Sequence, residues 1–232
     1  MKDITERFTE LNKKFTSNLE KSLDPANENF SSLECKGRTF VSVGELLVAQ
    51  KNLAPHQVEL TKLFDELFAD LVLSIYFASI ALDRPAEMLL RRILELGVSV
   101  IYMWDMPHVY WGWKANDSDL NFQDMLAHLT SQDYKSYLEL GLSGTASEHT
   151  FETKEINKLY RAFSNTIHGK ISTVESGTKM AFSFDSGDWQ KYLENANKVS
   201  DILFSLWFSR FPWLREPIAK QPLNIRLSQG EK

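Results

Sequence analysis

The chain has 232 residues, with 26 Lys+Arg against 31 Asp+Glu for a formal net charge of −5, and only 10 Gly and 7 Pro. Hydrophobic residues make up 43% and aromatics 12%, which excludes a disordered or low-complexity chain, and the acidic balance excludes a broadly basic nucleic-acid binder. So few turn formers favour long helices over a meander of short strands.

Residues 3–23 carry Ile4, Phe8, Leu11, Phe15, Leu19 and Leu23 at steps of three and four, the stripe of an amphipathic helix that Asp24-Pro25 should end. The opening segment MKDITERFTELNKKF is charged throughout and has no apolar core of signal-peptide length. Residues 24–41 are polar and broken, and read as a connector. A short helix is expected from Ser42 to Leu53, ending before Ala54-Pro55. A long one then runs from about His56 to Ala81, with Leu60, Leu63, Phe64, Leu67, Phe68 and Leu71 on one face.

The longest uncharged apolar run, Leu71 to Leu82, is twelve residues. A membrane-spanning helix needs roughly 20. Asp83 and Pro85 resemble a cap and first turn for a helix over about 85–106, apolar nearly all round after residue 94 and therefore central. Trp104 to Trp113 is the densest aromatic stretch. Ser118 or Asp119 can cap a helix from Leu120 to Thr130, followed by a short one through Leu138.

Residues 141–150 read as a polar loop. A helix over 153–168 follows, closed by Gly169 as a left-handed cap, and then a connector whose Met180–Phe184 piece is expected to be extended. The last long helix runs from Gly187 to Arg210, and Pro212 and Pro217 should end regular structure. The expected fold is therefore an all-α, single-domain helical bundle. Residues 1–41 supply an N-terminal helix and connector, 42–215 the bundle and 216–232 a tail. A single cysteine, Cys35, cannot form an internal disulfide, so the expected setting is cytoplasmic, with no membrane contact.

Chemistry concentrates in TKEINKLYRAFSNTIHGK, residues 153–170. At about 100° per residue, Ile156, Leu159, Phe163 and Ile167 fall within about 80° and form the face turned to the chain's own core. Arg161 and His168 are seven residues apart, hence only about 20° apart in angle and about 10 Å along the axis. Both lie away from the apolar stripe, with Ser164 and Asn165 beside them. Such a set suits phosphodiester cleavage in RNA. An imidazole takes the proton of a 2′-OH or gives one to the leaving oxygen, and a guanidinium holds the phosphate, without a metal. The alternative is an Arg and a His on a solvated helix face.

Arg161, six intervening residues and His168, late in a helical bundle, resemble the hallmark of the HEPN superfamily of small all-α proteins. The segment LLRRILE, Leu89 to Glu95, followed by an aromatic-rich stretch, is also similar to helical families of bacterial defence systems. The resemblance implies a HEPN-like fold and a homodimer whose two Arg/His helices face each other across a shared cleft. It also implies metal-independent endoribonuclease activity of a toxin or antiphage type, with no cofactor. Arg161 would be the phosphate contact and His168 the general acid and base, with Asn165 and Ser164 supporting.

Other candidates carry two readings each. Arg91 and Glu95 are four apart and can form a structural ion pair; alternatively one of the two arginines, with Arg92 taken into the supporting set, and Glu95 orient the Arg/His helix. Trp104, Tyr110, Trp111 and Trp113 can stack bases, fill the core or form an interface, with Trp111 and Trp113 the expected exposed pair. Asp124 and His128 share a helix face but have no third metal ligand at a convincing spacing. No phosphate-binding glycine loop or nucleophile elbow is present. A different class of function stays open: a non-catalytic scaffold or interaction subunit of a defence complex, with a protein partner. A small-ligand pocket among the aromatics of 104–113 is a third option.

Overall fold

The computed structural model describes residues 3–24, 26–116, 119–141, 153–167 and 182–220. Helix α1 (Ile4–Ser22) follows the expected stripe, but its first half overhangs, leaving Ile4 and Phe8 exposed. Its second half is anchored. Phe15 meets Phe182 edge-on at 5.8 Å, and buried Asn18 donates through Nδ2 to the carbonyls of Ile80 (3.1 Å) and Phe182 (3.0 Å).

The expected connector is instead a helix. Asn27 Oδ1 accepts from the amides of Asn29 (3.1 Å) and Phe30 (3.3 Å) and so starts α2 (Glu28–Val48), which runs straight through the boundary placed at residue 41. Leu33, Phe40, Val43 and Leu47 are buried in it. Its glycines are contact points rather than breakers. A Cβ on Gly44 would lie 2.8 Å from the Phe64 Cβ, and one on Gly37 would lie 3.2 Å from Leu71 Cδ2.

The long helix expected over 56–81 is two, α3 (Pro55–Thr61) and α4 (Leu63–Ser79). Lys62 between them keeps helical angles, so the interruption is slight. Pro55 sits where proline is tolerated, and Gln57 Oε1 accepts from the Ala54 amide at 3.0 Å.

Helix α5 (Asp83–Asp105) is central, as its apolar second half requires. It packs against α4 and α3 and against four later helices: α6 (Pro107–Asn116), α7 (Phe122–Leu129), α9 (Thr153–Ile167) and α10 (Ser186–Arg210). At the α5–α10 crossing a Cβ on Gly97 would stand 2.5 Å from Leu203 Cδ2, and Trp207 Nε1 donates to the Gly97 carbonyl at 3.0 Å. The missing side chain lets the helices approach.

Asn121, not Ser118 or Asp119, caps α7, its Oδ1 accepting from the Gln123 amide at 2.9 Å. Ser131 caps α8 (Gln132–Ser136), which passes into a π turn over Tyr137–Gly141. Asp185 caps α10, and beyond Phe211 the chain stays helical through a 3₁₀ turn (Pro212–Leu214) and α11 (Arg215–Ala219), with Leu214 and Ile218 buried. Pro212 and Pro217 therefore do not end regular structure. The Gly169 cap lies outside the described residues, as do Met180 and Ala181 of the expected extended piece. Phe182 is in a turn at φ 62°.

The result is an all-α, single-domain bundle with no strand among the described residues. No described helix is long and apolar enough to cross a membrane.

One buried ion pair ties three elements together. Arg210 on α10 makes a two-pronged contact with Asp105 at the end of α5, with Nη2 2.6 Å from Oδ1 and Nε 2.8 Å from Oδ2. Tyr134 Oη on α8 donates to the same carboxylate at 2.8 Å. Both charged side chains are largely buried, at 12% and 8% exposure. Burial and the neighbouring Asp105 charge push the Tyr134 hydroxyl far above its ordinary value.

Candidate functional site

Helix α9 is strongly amphipathic, and Ile156, Leu159 and Phe163 are buried as the angular argument requires. It packs chiefly on α5. Hydrophobic burial alone sets which stripe points inward but leaves the helix some freedom to roll. Polar contacts on its two flanks remove that freedom.

On one flank Tyr160 stacks on Phe122, rings 4.2 Å apart and 9° from parallel, and its Oη accepts from Arg91 Nη2 at 3.0 Å. Arg91 Nε also donates to Glu95 Oε1 at 3.0 Å, so Arg91, Glu95 and Tyr160 form one polar cluster between α5 and α9. Burial first, then the Glu95 charge, raises the Tyr160 hydroxyl above its ordinary value, with Arg91 offsetting part of this. Burial works against the Arg91 charge, but Glu95 outweighs it and the guanidinium is held more firmly protonated. Further along the helix Thr166 Oγ1 donates to Glu87 of α5. Glu155 pairs with Lys198 of α10.

With α9 held in this way, Arg161 is exposed, and it has no ion-pair partner among the described residues. Asn165 is half-buried close by. His168 lies outside the described residues. Ser164 departs from expectation: its Oγ is shielded from solvent and has no hydrogen-bond partner among the described residues. At about 60° from Arg161 on the helix wheel, it lies on the covered edge of α9. Asn157 Oδ1, seven positions earlier on that edge, is shielded and unpartnered too.

The two arginines of α5 divide their work otherwise than the supporting set Arg92 and Glu95 implied. Glu95 does face α9, but through Arg91. Arg92 turns to α4, pairing with Asp70 and, at 3.5 Å, with Glu66. Residues 91 and 92 differ by about 100° in direction, so one step in sequence decides which helix is braced. Arg91, left open beside Arg92, and Tyr160, which the sequence did not single out, are the residues that fix α9 on this flank. The usable signal was a tyrosine immediately before Arg161 on the flank facing a charged pair.

The aromatic stretch divides between the end of α5, where Trp104 is buried, and helix α6, and it does not form an exposed pair. Trp111 is 47% exposed, whereas Trp113 is partly buried against the core and Tyr110 is buried. Lys114 Nζ lies 5.6 Å from the Tyr110 ring and 5.7 Å from Trp111, and pairs with Glu59 at 3.7 Å. His128 sits between the rings of Tyr102 (5.2 Å) and Tyr134 (5.3 Å), an aromatic packing role. No group of three or more His, Cys, Asp or Glu able to hold a metal occurs among the described residues. Cys35 is buried in α2.

No protein-family model matches this chain, and neither a curated protein nor a solved structure is significantly similar to it.

Proposed function

We propose that this chain is a metal-independent endoribonuclease of the HEPN type, serving bacterial toxin or antiphage defence, with RNA cleaved in a cleft that two copies build together. The observation that carries this reading is Arg161: an exposed guanidinium without an ion-pair partner among the described residues, on a helix whose opposite face and flanks are fixed to α5. A cation left unpaired in a chain of net charge −5 is available for an anion.

In the proposed reaction His168, as neutral imidazole, removes the proton from a ribose 2′-OH. The 2′ oxygen attacks the adjacent phosphorus and the P–O5′ bond breaks. Proton return from the resulting His168 imidazolium to the departing 5′ oxygen leaves a 2′,3′-cyclic phosphate on one product and a 5′-OH on the other. Arg161 offsets the charge that builds on the non-bridging oxygens. On the outward side of α9, Lys154, Lys158, Arg161 and Ala162 are exposed, and a two-fold axis there would bring both Arg/His sets together. The test is incubation of the full chain with single-stranded RNA in chelator. Cyclic-phosphate ends, and no cleavage at a 2′-deoxy substitution, are the expected outcome; hydrolysis of the 2′-deoxy site contradicts it.

A second reading has its own observation. The outer side of α4 exposes Val72, Leu73 and Tyr76, each at about half of its accessible surface. That is an apolar stripe at helical spacing, suited to a protein contact. A non-catalytic scaffold subunit built on this face would show partner binding with no turnover of RNA.

A further inference from the structure

The outward side of α9 carries more positive charge than Arg161 alone. Lys154, Lys158 and Arg161 are all exposed, and none has an ion-pair partner among the described residues. At about 100° and 1.5 Å per residue they fall within an arc of about 60° and span roughly 10 Å of one ridge. The acidic side chains nearest this ridge make their hydrogen bonds and ion pairs with other residues. Glu155, the only acid of α9, pairs with Lys198 and feels the charge of Lys158 only at longer range; Glu87 is bonded to Thr166, and Glu95 to Arg91. Elsewhere several cations do have acidic partners, as in Arg38–Glu34, Lys36–Asp201 and Lys62–Glu59.

A line of unpaired cations on a rigid helix, within an acidic protein, matches a chain of regularly spaced negative charges. We infer that Lys154 and Lys158 form a backbone track for single-stranded RNA, holding the phosphates next to the one that Arg161 contacts. This assignment rests on the ribonuclease reading of Arg161 and His168. The two lysines are positioning residues: they make sequence-independent contacts that set the register of the strand, while base identity is left to other groups. Two or three such contacts make binding weak and strongly dependent on salt.

The test uses the full chain. Binding is measured with His168→Ala and with His168→Ala combined with K154Q and K158Q, by fluorescence anisotropy of a labelled single-stranded RNA over a range of salt. Loss of both lysines should weaken binding roughly tenfold for every sequence tried, and flatten the plot of log affinity against log salt by about 1.4, or about 0.7 per lysine. On an otherwise unaltered chain, K154Q with K158Q should raise KM and leave kcat within about twofold. Exposed lysine-to-glutamine changes typically shift stability by no more than about 0.5 kcal/mol, so folding is not at issue.

Unchanged affinity and salt slope overturn the track, while RNA cleavage by the parent would leave the ribonuclease reading intact. Lysine-dependent RNA binding without any cleavage by the parent supports the track and removes the ribonuclease reading. Lysine-dependent binding to anionic lipid vesicles, with none to RNA, overturns the track in favour of a membrane contact.

Discussion

Arg91 on α5 donates a hydrogen bond to the hydroxyl of Tyr160 at 3.0 Å, and the next residue along α9, Arg161, is turned to solvent. The angular setting of the arginine is thus fixed from behind by a second arginine whose own charge is balanced by Glu95. Apolar burial chooses the face of α9, and this polar contact fixes its roll.

Removing only the hydroxyl tests that division. Tyr160→Phe keeps the stack on Phe122 but loses the Arg91 bond, and should cost about 0.5–1.5 kcal/mol, a fall in Tm of roughly 1–6 °C. Tyr160→Ala also loses the stack and should cost about 3–5 kcal/mol. Thermal unfolding of both variants measures the two contributions. Equal losses in the two would mean that the ring contributes nothing to the setting of α9.

Asp70 gives a pH-dependent prediction. Burial raises its carboxyl above the ordinary value, and Arg92 offsets only part of that rise. The folded-state pKa then exceeds the unfolded one, so the ionised form is disfavoured in the fold, and stability falls as pH rises from the unfolded pKa through the folded one. Asp70→Asn removes this penalty. Relative to the parent it should gain stability between pH 4 and pH 7 and end neutral or about 1 kcal/mol more stable at pH 7. Urea midpoints at the two pH values measure it. A variant that loses ground toward pH 7 would show that the Arg92 pair prevails.

The buried pair Arg210–Asp105 should behave in the opposite way. Arg210→Met leaves the Asp105 charge buried with only the Tyr134 hydroxyl, and should cost about 3–5 kcal/mol. Adding Asp105→Asn removes the stranded charge and keeps an acceptor for Tyr134, so the double variant should recover more than half of the loss. A double-mutant cycle from denaturant unfolding gives the coupling. Additive losses would show that the two side chains act independently.

Periodicity revealed α1, α5 and α10 because each buries large apolar residues at steps of three and four. It missed α2, where the inward positions include Gly37, Thr39, Ser42 and Gly44. Helices that approach closely need small residues, and in sequence those read as breaks. Lys36 deepened the impression of a polar connector, although it is buried and reaches Asp201 of α10 at 2.7 Å. The split between α3 and α4 has no Gly or Pro to mark it.

At the candidate site, the 3.6-residue period was enough to place Arg161 outward. It was not enough to separate Ser164, about 60° round, from the covered edge. Nor does it distinguish Arg91 from Arg92, because the partners that tell them apart, Tyr160 and Asp70, come from different helices.

The central claim is that Arg161 and His168 cleave RNA without a metal. The measurement is the rate at which the parent and His168→Ala cleave labelled single-stranded RNA in chelator, with Tm recorded for both. The account predicts cleavage by the parent and a loss of about a hundredfold or more in the variant at unchanged Tm. Cleavage that survives the substitution, or that the chelator abolishes in the parent, would contradict it.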